Sequence, residues 1–129
     1  MRTCGIELDA EAVKYAGRNA ARHGVPDRTE FLAGDCARIF RAKYPHGLPP
    51  RSLLLLDPPR TGLDPAMLKL VCRSGAAAIL YVSCSPDTLF RDAAQLEKAG
   101  FPIRESRMID LFPSTAHFES VTLLVRDPV

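Results

Sequence analysis

Short apolar runs alternate with helix-length stretches along the whole of this chain, and that alternation leaves few folds open. Thr3 to Leu8, Thr29 to Ala33, Ser52 to Leu56 and Ala76 to Val82 read as strands. The stretches Ala10 to His23, Cys36 to Tyr44, Asp64-Pro65 to about Cys72, and Pro86 to Ala99 read as helices. Asp9 is placed to cap the first helix, whose apolar face is Val13, Ala16, Gly17, Ala20 and Ala21. Gly24 and Pro26 end it, and Gly100 ends the last helix. The four consecutive leucines 53–56 read as a buried strand. Strands separated by helices form βαβ units and a mainly parallel sheet, since a parallel crossover needs a dozen or more residues. Ile103 to Met108 and Phe118 to Val125 are the last two strands. Only the short loop Asp110 to His117 separates them, so they pair antiparallel.

The 129 residues make one domain, 1–129, long enough to bury a core. A hydrophobic share of 47% and a charged share of 25% are those of an ordinary soluble protein. The net charge of +2 argues neither for nor against nucleic acid. No apolar run approaches the roughly 20 residues that span a membrane, and the N-terminus has no signal-peptide pattern. Cys4, Cys36, Cys72 and Cys84 are scattered without a CxxC, which speaks against a disulfide framework or a metal site. Reduced thiols in the cytoplasm are the simpler reading.

The residues at strand ends carry the chemistry, because parallel α/β sheets bind ligands there. Cys84 ends a strand and precedes the helix that opens at Pro86. Free N–H groups and the helix dipole favour a thiolate at that place. Asp57 begins Asp57-Pro58-Pro59-Arg60, in which two prolines stop ladder pairing and stiffen the chain beyond the strand. Its carboxylate is thereby held at the mouth of a cleft, to orient substrate or cofactor, and Arg60 can pair with a phosphate or a carboxylate. Glu7 ends the first strand and can accept from ribose hydroxyls, or simply cap a helix. Asp35 follows the second strand and can receive an adenine amino group, or serve as a turn or cap residue. Glu119 opens the last strand beside Phe118, whose ring would shield a carboxylate that exchanges protons. His117 can orient Glu119 or contact RNA, and Phe112-Pro113 reads as packing.

The element order is that of an α/β class I methyltransferase (Rossmann-like) sheet with a C-terminal antiparallel hairpin, a likeness of fold that fixes no reaction. It lacks that fold's first strand and glycine-rich cofactor turn. The runs Gly5-Ile6-Glu7, Asp57-Pro58-Pro59-Arg60-Thr61-Gly62, Tyr81-Val82-Ser83-Cys84-Ser85-Pro86 and Asp110 through Ser120 together resemble the RNA 5-methyluridine methyltransferases. That family includes the tRNA and 23S ribosomal RNA uracil-C5 enzymes, and the resemblance covers essentially the whole chain. It implies a methyl group carried from S-adenosyl-L-methionine to C5 of a uridine in tRNA or 23S rRNA. It also implies Cys84 as nucleophile, Glu119 as base, and Glu7, Asp35 and Asp57 as cofactor contacts. The glycine-rich loop, the N-terminal RNA-binding β-barrel and the iron–sulfur cysteines of some members are absent. The chain thus resembles the C-terminal portion of such an enzyme, and the isolated 129 residues are expected to bind cofactor poorly and to lack turnover.

Two other functions stay open at this point. Amino-group methyltransferases of nucleic acids also carry Asp-Pro-Pro, but usually with an aromatic residue where this chain has Arg60. A non-catalytic RNA-binding remnant would explain the missing loop. The missing strand would leave the strands at Thr3 to Leu8 and Ser52 to Leu56 each without a neighbour. Direct pairing of the two, giving a six-stranded sheet, is the favoured repair. A second copy of the chain filling the gap, as a homodimer, is the other.

Overall fold

A computed structural model describes residues 2–111, 113–115 and 118–126. The expectations for Phe112 and His117 lie outside the described residues. The chain resolves into two compact units, Met1–Pro45 and His46–Val129.

The first unit is a βαβα run. Strand β1 (Thr3–Glu7) leads into helix α1 (Ala10–Arg22), then β2 (Thr29–Ala33) and α2 (Cys36–Lys43). The Asp9 carboxylate accepts from the Glu11 and Ala12 N–H groups and so caps α1. A 3-10 turn at Pro26–Arg28, which the strand and helix pattern did not suggest, joins α1 to β2. β1 and β2 pair in parallel, from Thr3 opposite Thr29 to Glu7 opposite Ala33. Ala20, Ala37 and Phe40 are buried here, with Phe40 tilted against Tyr44 at 5.3 Å between ring centroids.

The second unit holds β3 (Leu53–Leu56), α3 (Pro65–Cys72), β4 (Ala78–Ser83), α4 (Pro86–Lys98), β5 (Ile103–Ile109) and β6 (Glu119–Val125). Its four strands lie in the order β3-β4-β6-β5. β3 and β4 are parallel, while β6 runs antiparallel to both β4 and β5, so the terminal hairpin has the expected sense. Alternate residues of β4 and β6 face one buried layer. Ile79 lies opposite Leu124, Tyr81 opposite Thr122, and Ser83 opposite Ser120. That stripe turns from apolar to polar toward the C-terminal end of β4. The buried face of α4, Leu89, Asp92, Ala93 and Leu96, follows helical spacing and meets it through Tyr81. At the other end Arg126 stacks on Phe101 at 4.1 Å and donates to Ala76 O at 3.0 Å.

Two expectations are corrected. Among the described residues the strands form a two-stranded sheet and a four-stranded sheet rather than the one of six. β1 and β3 each bond a strand of their own unit, β2 or β4, and that local parallel pairing is the one made. The leucine run 53–56 is also not a wholly buried strand. Leu53 and Leu55 are 59% and 64% exposed, whereas Leu56 is buried. β3 is the last strand of its sheet, and alternation sends every second leucine to a face that no described element of its unit covers. No helix of the described residues is long and apolar enough to cross a membrane.

Candidate active site

The polar end of the β4–β6 stripe is where the chemistry-bearing residues gather. β4 stops at Ser83 because the chain turns there. The Ser83 hydroxyl accepts the Ser85 N–H at 3.0 Å and donates to the Ser85 carbonyl at 2.9 Å. Cys84 is held inside this turn. Ser85 then takes the N-cap position of α4, and Pro86 begins the helix where no intrahelical N–H bond is needed. The sequence reading of a thiol between strand end and helix start therefore holds in its geometry. All four cysteines are half-buried, so exposure does not single out Cys84; its place does. Burial pushes the thiol of Cys72, on α3, above the ordinary range.

Glu119 comes to the same place from β6. Ser83 opposite Ser120 is the outermost pair of the β4–β6 ladder, and the Ser120 hydroxyl donates to Ser83 O at 3.1 Å. Cys84 and Glu119 each adjoin that pair in sequence, Cys84 in the turn after β4 and Glu119 as the first residue of β6. Residues 35 positions apart in sequence thus flank the same ladder pair at one end of the sheet. Glu119 is half-buried, as is Phe118 before it.

Asp57 is exposed, one residue beyond Leu56, which lies opposite Tyr81 of β4. It therefore stands at the same, C-terminal end of the parallel pair. Glu7 and Asp35 belong to the first unit. Glu7 is exposed at the end of β1, and its Oε1 accepts the Asp9 N–H at 3.0 Å. Asp35 is exposed too and caps α2, its Oδ1 accepting the Arg38 N–H at 2.6 Å. The Gly34 N–H donates to Glu7 O at 2.8 Å and brings these two strand ends together. Beside Glu7 a cleft of about 270 Å³ is walled by Gly5, Ile6, Ala12, Val13, Ala16 and Phe31.

One cluster escaped the sequence reading. Asp92 is fully buried, accepting from the Tyr81 hydroxyl at 2.7 Å and the Leu63 N–H at 2.8 Å on Oδ2, with Arg91 on Oδ1. Burial first, and then the neighbouring Asp92, push the Tyr81 phenol well above its ordinary range, so it stays a donor. A signal was there: Asp92 falls on the apolar stripe of α4, where a lone carboxylate needs partners.

The family model of tRNA (uracil-5-)-methyltransferase matches residues 51–127. The chain belongs to that family. Among relatives of this uracil methyltransferase family, a 23S rRNA (uracil(1939)-C(5))-methyltransferase of Haemophilus parainfluenzae is 43% identical over 122 residues, 95% of this chain and 27% of the relative. An RNA methyltransferase of Enterococcus faecalis is 40% identical, again over 95% of this chain but 26% of its own length. The chain thus spans about a quarter of the curated relatives it matches. In structure it is similar to the tRNA (uracil-54, C5)-methyltransferase of Pyrococcus abyssi, solved with S-adenosyl-L-homocysteine. The TM-score is 0.80 at 30% identity, covering 97% of this chain and 29% of that one. The fold is that of the class I methyltransferases, as the sequence pattern indicated.

Proposed function

We propose that residues 1–129 form part of the catalytic domain of an RNA uracil-C5 methyltransferase acting on tRNA or 23S rRNA in the cytoplasm. The observation that supports this reading is the Ser83–Ser120 pair, which Cys84 follows on one chain segment and Glu119 precedes on the other. Uracil C5 is a weak nucleophile, and the reaction needs one thiol and one base in one place. Cys84 Sγ adds to C6, and the electron pair of the C5–C6 double bond moves onto C5 and the O4 carbonyl. S-adenosyl-L-methionine, when bound, supplies an electrophilic methyl group for that carbon. Glu119 then takes the C5 proton, the double bond re-forms, and the C6–S bond breaks to return the thiolate. Phe118 precedes this carboxylate and is itself half-buried.

The acceptors present suit a nucleoside cofactor. Glu7, Asp35 and Asp57 are exposed carboxylates at strand ends, and carboxylates accept from ribose hydroxyls and from an adenine amine. Glu7 would take the ribose and Asp35 the amine, with Asp57 a further contact. One oxygen each of Glu7 and Asp35 already accepts a backbone N–H. At about 1 kcal/mol per remaining hydrogen bond, these acceptors alone give weak binding. The isolated 129 residues are therefore expected to lack turnover, and the tests of the reaction use a catalytically complete enzyme that carries them.

Glu119→Gln is the deciding variant. It leaves thiol addition intact and removes the proton acceptor, so a methylated RNA–protein adduct should accumulate and survive denaturing electrophoresis. The same RNA on the parent chain should leave little adduct at long times. Release from Glu119→Gln as fast as from the parent would remove Glu119 from the mechanism.

A further inference from the structure

The segment that follows Asp57 is closed by one turn of its own, in which the Gly62 N–H donates to Pro59 O at 2.8 Å. Three of its carbonyls and its Leu63 amide are taken instead by three side chains on one face of α4. Thr88 Oγ1 reaches Arg60 O at 3.1 Å and Ser85 O at 3.2 Å. Arg91 Nη2 donates to Thr61 O at 3.1 Å and to Leu63 O at 3.2 Å. Asp92 Oδ2 accepts the Leu63 N–H at 2.8 Å, and the Arg91 guanidinium grips Asp92 Oδ1 through Nε at 2.8 Å and Nη2 at 2.7 Å. Positions 88, 91 and 92 have the spacing that puts side chains side by side on a helix.

Two further features show that the fit is close. Gly62 has φ of 76°, which favours glycine, and a Cβ there would come within 2.5 Å of Arg91 Nη2 and 2.7 Å of Asp92 Oδ2. The inner end of the cluster is fixed by the Tyr81 hydroxyl, from the buried face of β4. Tyr81 is three residues from Cys84, and Thr88 reaches the carbonyl of Ser85, the residue after Cys84.

We propose that Thr88, Arg91 and Asp92 are positioning residues that clamp Arg60–Leu63 to α4, so that the Asp57-Pro58-Pro59-Arg60 turn and the Cys84 turn are presented as one rigid piece. The rigid prolines carry the constraint back from Arg60 to Asp57. Surface ion pairs of a half-exposed arginine do little by themselves. Here the arginine's work is geometric, since one planar fork satisfies two carbonyls and one carboxylate. The consequence for catalysis rests on the function proposed above; the clamp itself does not.

Amide hydrogen exchange on the full chain, read residue by residue, tests it. In Arg91→Ala, Gly62 and Leu63 should exchange about tenfold faster or more, while Ile79 to Val82 of β4 change less than about twofold. Thr88→Val should loosen the same amides and Thr88→Ser should restore them. Unchanged exchange at Gly62 and Leu63, or a rise matched by β4, overturns the clamp. A second arm uses RNA containing 5-fluorouridine, which retains the adduct on the thiol. Arg91→Ala should slow maximal adduct formation about tenfold and leave the half-saturating RNA concentration within about twofold. An unchanged maximal rate would overturn the link from clamp to thiol. No adduct on the parent form of the catalytically complete enzyme would overturn the proposed reaction, while exchange still decides the clamp.

Discussion

In a catalytically complete enzyme that carries this chain, Cys84→Ser should abolish both the covalent adduct with 5-fluorouridine RNA and methyl transfer, a loss of at least about a thousandfold. A serine hydroxyl has nearly the size of the thiol, so the Ser83–Ser85 turn and the cap of α4 should survive the change. What goes is the nucleophile. An alcohol is almost wholly protonated near neutrality, whereas a thiol supplies a usable thiolate fraction. Without addition at C6, C5 has no electron pair to offer, and Glu119 has no acidic proton to take. Cys72→Ser serves as the control, because that thiol lies on α3 and donates to Gln95 O at 3.9 Å. Denaturing gels and incorporation of labelled methyl groups read the two losses together. Near-normal transfer by Cys84→Ser would end the nucleophile assignment.

Asp92→Ala should destabilise the chain by about 3–5 kcal/mol, read as a shift in the urea unfolding midpoint. The substitution leaves the Tyr81 hydroxyl and the Leu63 N–H without acceptors in a buried place, at about 1–3 kcal/mol each. The Arg91 pair adds little, because its guanidinium is half exposed and screened. Asp92→Asn separates the parts. Its amide oxygen can stand at the Oδ2 position and keep the two inner bonds, while its NH₂ faces Arg91, donor against donor. It should cost about 1–2 kcal/mol. Equal losses for Ala and Asn would mean that the ion pair, not the buried hydrogen bonds, holds this site.

Much of this was legible in the sequence because local rules and global topology agree. Asp9, Pro86 and Gly100 mark helix ends by capping and backbone geometry alone. The alternation of strands and helices, closed by two strands with no helix between, led to the class I methyltransferase fold. The position of Cys84 needed only the strand before it and Pro86 after it. Other features depend on long-range pairing that no local rule carries. Nothing local says that Ser83 meets Ser120, so the placing of Cys84 and Glu119 next to one ladder pair appears only with the ladder. The leucines 53–56 read as buried because apolar runs usually are; burial on both faces requires a packed layer on each, and Leu53 and Leu55 stand exposed on one face of β3. The six-stranded closure failed because strand partners are chosen by the fold and not by the run. Asp35 shows the remaining ambiguity: one carboxylate oxygen caps α2 while the cofactor role calls for an acceptor at the same strand end.

The most direct measurement uses RNA tritiated at uracil C5, a catalytically complete enzyme that carries these residues, and labelled S-adenosyl-L-methionine. If Cys84 adds to C6 and Glu119 removes the C5 proton, tritium should enter water one for one with methyl incorporated. Neither should occur with Cys84→Ser. Methyl incorporated while tritium stays on the base would place the transfer on nitrogen or oxygen, and would contradict the uracil-C5 account.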